Sequence, residues 1–99
     1  MKGILEGCIL AVISEKETYG YEILATLADC GFDTIQEGTL YPILTRLEKK
    51  KLISCRHEKS PYGPIRKYFS ITDEGIEWLE SFKASYKTIT ENAEKVLFH

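Results

Sequence analysis

Apolar residues recur along this chain at helical, strand and heptad spacings, and each spacing marks an element. Between residues 2 and 14, Leu5, Cys8, Ile9, Val12 and Ile13 repeat at helical spacing. Ile4, Leu10 and Ala11 carry the hydrophobicity almost all the way round. A helix apolar on most faces is buried on most sides, and in so small a domain that calls for cover from beyond its own core. After the polar break Glu15-Lys16-Glu17, a second helix is predicted over residues 19–30. Thr18 is its N-cap, Ile23, Leu24, Leu27 and Ala28 form its inner face, and Gly31 sits at C′. Leu40, Ile43, Leu44 and Leu47 fall at i, i+3, i+4 and i+7 and predict a third helix over about residues 36–51. Thr34 and Glu37 fit a capping box that would start it near Ile35, but Pro42 would then lie well inside it; a start nearer Gly38 accommodates the proline better.

The period then changes to two. Residues 52–57 read as a short strand, and Ser60-Pro61-Tyr62-Gly63-Pro64 is dense turn chemistry. Residues 66–71 return as a second strand. A helix followed at once by a basic hairpin is the layout of a winged helix-turn-helix, in which one helix enters the DNA major groove and the hairpin flanks it. The expected fold is mostly α with a small β-hairpin: a DNA-binding unit over residues 1–71, with its wing at about 53–71, and a carboxy-terminal dimerisation helix over 72–99. Thr72 caps that helix, with Asp73 and Glu74 favourable in its first turn. Leu79, Phe82, Tyr86, Ile89, Ala93 and Val96 are spaced 3, 4, 3, 4, 3, a heptad seam. The body can absorb its start (Ile76, Trp78, Leu79), whereas its later part projects too far and points to a second copy of the chain.

Charge sharpens the picture. The 99 residues carry a net charge of −2, which by itself argues against nucleic acid. Between Arg46 and Lys67, however, eight basic residues face only Glu48 and Glu58, so the helix-hairpin unit is strongly positive and the remainder strongly negative. Three cysteines (Cys8, Cys30, Cys55) without a CxxC pair make a disulfide framework unlikely. Cys55 and His57 share a strand face but lack a second ligand pair, so no metal site and no cofactor are expected. No apolar run approaches the length of a membrane span, and nothing resembles a signal peptide; the chain reads as cytoplasmic. Two histidines, one of them terminal, and no phosphate loop leave no constellation for catalysis, so no catalytic residue is assigned and an enzyme is not expected.

Three blocks carry a family resemblance. They are Tyr19-Gly20-Tyr21-Glu22-Ile23, then Glu37-Gly38-Thr39-Leu40-Tyr41-Pro42-Ile43-Leu44 continuing through Arg46-Leu47-Glu48-Lys49, and Gly63-Pro64 with Arg66-Lys67-Tyr68-Phe69 leading to Thr72-Asp73-Glu74-Gly75. In this order, and over essentially the whole chain, they resemble the PadR family of bacterial transcriptional regulators, in its shorter subfamily. The resemblance implies a homodimer joined by the first and last helices, with Leu5, Cys8, Ile9, Val12, Leu79, Phe82, Tyr86, Ile89, Ala93 and Val96 at the interface. It also implies operator binding. Thr39, Tyr41, Pro42, Thr45, Arg46 and Lys49 would face the groove and phosphates, Tyr19 would approach the backbone, and Lys59, Tyr62, Arg66 and Lys67 would belong to the wing. In multidrug-responsive relatives a flat aromatic ligand stacks on a tryptophan of the terminal helix. Alignment on residues 72–75 puts Tyr86 at that position, so the chain departs from the pattern and Tyr86 is the candidate effector-pocket residue.

The leading expectation is therefore a dimeric regulator of double-stranded operator DNA, a repressor released by a small aromatic effector. The alternative is a winged-helix module that docks on protein without sequence-specific DNA binding, and net charge is its best support.

Overall fold

The computed structural model describes residues 3–59 and 61–99, so the expected helical residue Lys2 and the turn residue Ser60 lie outside the described residues. In chain order it forms α1 (Ile4–Glu15), β1 (Thr18–Tyr19), α2 (Gly20–Asp29), α3 (Glu37–Lys49), β2 (Ile53–Glu58), β3 (Arg66–Ile71) and α4 (Asp73–Leu97). The hairpin is part of a three-stranded antiparallel sheet in the order β1-β3-β2, with Thr18 opposite Phe69, Tyr19 opposite Tyr68, and Arg56 opposite Tyr68 on the other side.

Strand β1 is a correction to the sequence reading. Thr18 does not cap α2. It is buried in the strand, its hydroxyl donates to Glu22 Oε1 at 2.7 Å, and Tyr19 occupies the N-cap position without a side-chain bond. Two residues cannot declare themselves a strand by periodicity; their pairing with β3, some fifty residues on, does it for them.

One core unites the elements. Ile9, Leu10 and Ile13 of α1 meet Ile23 and Leu27 of α2, the predicted face Leu40, Ile43, Leu44 and Leu47 of α3, then Leu52, Ile53 and Phe69 beneath the sheet and Leu79 of α4. Leu5, Cys8, Ala11 and Val12 pack against that core but stay half-buried, so the protomer alone leaves part of the apolar surface of α1 uncovered. Helix α3 starts late, at Glu37 behind Gln36, and the Thr34 capping box does not set its start. Pro42 is thus the sixth helical residue, and the carbonyl it leaves without a donor, that of Gly38, belongs to an exposed residue that water can reach.

Both helix-turn junctions end in Schellman geometry. After α2, Gly31 (φ 104°) donates to the Ala28 carbonyl at 3.0 Å and Phe32 to the Leu27 carbonyl at 2.8 Å. After α3 the same bonds run from Lys51 to Glu48 and from Leu52 to Leu47, each 3.0 Å, but the left-handed residue is a lysine, at φ 62°. A side chain there costs about 1–2 kcal/mol, and a glycine would recover this less the chain entropy it adds to the unfolded state. Lys51→Gly is therefore expected to stabilise the fold by about 0.5–1 kcal/mol, read as a rise in the urea midpoint at constant slope.

That junction is also tied to α4. Thr72 donates its backbone N–H to the Leu52 carbonyl (3.0 Å) and its hydroxyl to the Lys51 carbonyl (2.7 Å). The same hydroxyl oxygen accepts from Gly75 N at 3.0 Å, the N-cap the sequence predicts. Helix α4 then runs 25 residues, about 37 Å at 1.5 Å per residue, and gives the molecule extents of 58 × 29 × 20 Å. Its first turns join the body through Trp78 and Leu79, whereas Ile76, expected there too, points outward and is 46% exposed. The second half projects, with Ile89, Val96, Leu97 and Phe98 in solvent.

Candidate nucleic-acid interface

The tip of the hairpin stands opposite the amino-terminal ends of α2 and α3, and an open cleft of about 1080 Å³ runs between them. Five of the six tyrosines in the chain line it: Tyr19, Tyr21, Tyr41, Tyr62 and Tyr68. Lys59, Arg66 and Lys67 bring positive charge to its wing side, with Glu37 and Glu58 as the acids on its walls. Gly20 allows the close approach of α3 here, because a Cβ at that position would meet the Tyr41 hydroxyl. Tyr62 is 98% exposed at the wing tip, and the neighbouring Ile65 is exposed as well.

Of the expected DNA-facing residues, the structure gathers Tyr19, Tyr41, Lys59, Tyr62, Arg66 and Lys67 around this cleft. Thr39, Pro42, Thr45, Arg46 and Lys49 are exposed along α3 but do not line it. The Thr45 hydroxyl donates to the Tyr41 carbonyl at 3.0 Å, within the turn that holds Pro42. Lys49 has no ion pair among the described residues and lies opposite the buried face of α3.

The positive charge counted along the sequence is partly cancelled in space. Glu6 on α1 is nearly buried, and its carboxylate takes Lys50 Nζ at 3.1 Å and Arg46 Nε at 3.7 Å, two cations from the end of α3. Glu17 holds Arg56 in a fork, Nε to Oε2 at 2.8 Å and Nη2 to Oε1 at 2.7 Å, while Arg56 Nη1 donates to Glu58 at 2.9 Å. Hydrogen bonds from Arg56 pull the Glu17 carboxyl below its ordinary range, and bonds to Glu17 and then Glu58 raise the Arg56 guanidinium further.

Sequence reasoning missed Tyr21, Glu6 and the Glu17–Arg56 fork. Tyr21 had a signal, a large aromatic just inside a helix start and off its apolar face; the partners of Glu6 and Glu17 lie 44 and 39 residues away and had none.

On the proposed dimer face, Leu5, Cys8 and Val12 are half-buried on α1, and Tyr86, Ile89 and Val96 are exposed on α4, with Ala93 half-buried. Two expected members belong elsewhere. Ile9 is 0% and Leu79 3% exposed, both inside the protomer's own core, because the broad apolar face of α1 and the start of the heptad seam are absorbed by the body. Trp78, Phe82 and Tyr86 form a stacked row along α4, with centroids 5.4 Å and 6.1 Å apart. Burial pushes the Cys8 and Cys55 thiols up, so neither is an activated nucleophile. His57 is exposed beside half-buried Cys55, and no group of three or more metal-ligating side chains occurs among the described residues.

Three helices with a hairpin beside the third, extended by a long terminal helix, define a winged helix-turn-helix protein. Residues 9–81 match the Transcriptional regulator PadR-like family. The crystal structure of a PadR-like transcriptional regulator from Bacillus cereus is 46% identical and superposes with a TM-score of 0.86, covering 99% of this chain and 95% of that one. A Streptococcus transcriptional regulator is 46% identical with a TM-score of 0.84, over 96% of this chain and 93% of the other. The transcriptional regulator YqjI of Escherichia coli is 30% identical over 91 residues, 90% of this chain but 42% of its own length. The chain belongs to the PadR-like family of transcriptional regulators. Its family and structural neighbours are regulators rather than enzymes. Among the described residues no helix is long and apolar enough to cross a membrane.

Proposed function

We propose that the chain is a dimeric repressor of a nearby operon that binds double-stranded operator DNA and is released by a small aromatic effector. Residues 1–71 act as the DNA-binding unit and residues 72–99 as the dimerisation helix. The cleft between α3 and the wing carries the reading: tyrosine hydroxyls, Arg66, Lys59 and Lys67 converge where a duplex lying along α3 would present phosphates. Thr39, Tyr41, Thr45 and Arg46 are the groups nearest base edges in this arrangement, with Pro42 facing the groove and Lys49 on a phosphate. The outer faces of α1 and α4 pair two copies. The exposed side of Tyr86, continuing the Trp78–Phe82 stack, receives the effector.

The test is a gel shift on the DNA upstream of the gene, with salt titrated. A sharp complex that survives competitor DNA and footprints with two-fold symmetry, half-sites about 34–36 Å apart or slightly more, is the expected result. In the dimer, Lys49→Ala should lower the slope of log K against log salt by roughly 2, about 0.9 for each of two phosphate contacts, whatever the sequence of the duplex. A flat aromatic compound should dissolve the complex.

One observation favours a second reading. Arg46, Lys50 and Arg56 are paired with Glu6, Glu17 and Glu58, which lowers the positive field of the helix-hairpin unit. A protein-docking module without DNA specificity would show no binding to any duplex, even at low salt.

A further inference from the structure

The outer face of the sheet carries an ordered file of side chains: Glu17, Arg56, Tyr68, Tyr19, Arg66. Glu17 precedes β1 and grips Arg56 of β2 by both carboxylate oxygens, with Ser70 Oγ of β3 donating to Glu17 Oε2 at 3.3 Å. The Arg56 guanidinium lies over the Tyr68 ring, 4.6 Å from its centroid. Tyr68 meets Tyr19 edge-on at 5.6 Å, and Arg66 lies over Tyr19 at 4.4 Å. All three nitrogens of Arg56 already donate to carboxylates, so its charge is neutralised and its fork is occupied. Arg66 differs: it has no ion pair among the described residues and borders the cleft.

Glu58 explains why the difference matters. It is the direct cross-strand partner of Arg66, the position from which a carboxylate would pair with that cation. Its Oε2 is engaged instead with Arg56 Nη1. Arg56 therefore does two things for Arg66: it occupies one oxygen of the competing acid, and it packs the ring that meets Tyr19 edge-on.

We propose that Glu17 and Arg56 are positioning residues for DNA binding, holding Glu58, Tyr68 and Tyr19 so that Arg66 presents its guanidinium to the duplex, and that Arg56 itself does not touch DNA. This rests on the DNA-binding reading above. It makes a prediction opposite in sign to simple electrostatics. Removing an acid from a protein that binds a polyanion should tighten binding; Glu17→Gln is expected to weaken it.

The experiment uses the full chain, a duplex recovered by selection from random sequence, and an unrelated duplex of equal length, all at one salt concentration. Glu17→Gln and, separately, Arg56→Lys (charge kept, fork lost) are expected to lose roughly tenfold in affinity for the selected duplex. Affinity for the unrelated duplex should fall as well, because a guanidinium on a phosphate is lost whatever the sequence. In an Arg66→Ala background, Glu17→Gln should cost nothing further, a coupling that a purely structural defect would not produce; thermal melting of each variant monitors folding. Equal or tighter binding of the selected duplex by Glu17→Gln overturns the inference, and so does an undiminished loss in the Arg66→Ala background. A wild-type chain that binds no duplex overturns the DNA reading itself, and this inference with it.

Discussion

Gly75→Ala should destabilise the protein by about 2–4 kcal/mol, although an alanine in the first turn of a helix ordinarily helps. The glycine is buried where α4 begins, and an added Cβ would run into the Leu52 carbonyl oxygen, with Ile71 Cγ1 at 2.7 Å. Neither can yield freely. The Leu52 carbonyl accepts from Thr72 N, and Thr72 in turn caps Gly75, so a shift at one breaks the other two. The left-handed turn at Lys51 would be displaced with them. Gly38→Ala is the contrast: its Cβ would meet nothing within 4 Å, and the helix should gain about 0.5–1 kcal/mol. For a chain of this length each kcal/mol shifts Tm by about 4–8 °C, so the two variants should melt on opposite sides of the wild type. Similar melting of both would refute the steric role given to Gly75.

The second large effect concerns the projecting half of α4. Ile89→Asp places a charge in the exposed part of the heptad seam, at a residue 48% exposed in the single chain. If two copies bury that face, as we propose, the charge has no partner there and the dimer should dissociate at micromolar concentration. Operator affinity should fall by about 10²–10⁴, because one protomer no longer holds its neighbour at high effective concentration over the second half-site. Far-ultraviolet circular dichroism should be unchanged. Sedimentation measures the outcome directly: a monomeric wild type, or a dimeric variant, sinks the assignment. Lys83→Glu, off the seam, serves as the control.

Much of the fold could be read from the chain because its strongest signals are local. Ile23 and Leu27 of α2, the face of α3, the glycine stop at Gly31 and the Thr72 cap each depend on residues within one or two turns, although Ala28, expected on the inner face of α2, is exposed. What escaped was made by distant partners. Strand β1 exists through Phe69 and Tyr68, Glu6 is neutralised from the far end of α3, and Arg56 owes its state to a carboxylate before β1. The apolar pattern also could not say which neighbour each residue meets. Ile9 and Leu79 obey the same spacing as Val12 and Ile89, yet the first two fill the core and Ile89 stays exposed. The cleft lay between these cases: its wing and α3 walls were legible, whereas Tyr21 came into it only through folding.

Trp78 is the sole tryptophan, and it stacks on Phe82 at the joint between body and terminal helix, where the Phe82 ring lies against Gly7 of α1. Tyr86 continues the row, and the other five tyrosines surround the cleft elsewhere. The molecule thus carries its own optical reporter. Indole emission, excited beyond the tyrosine band, should report any lifting of α4 from α1, without a label and without interference from the five tyrosines that line the cleft.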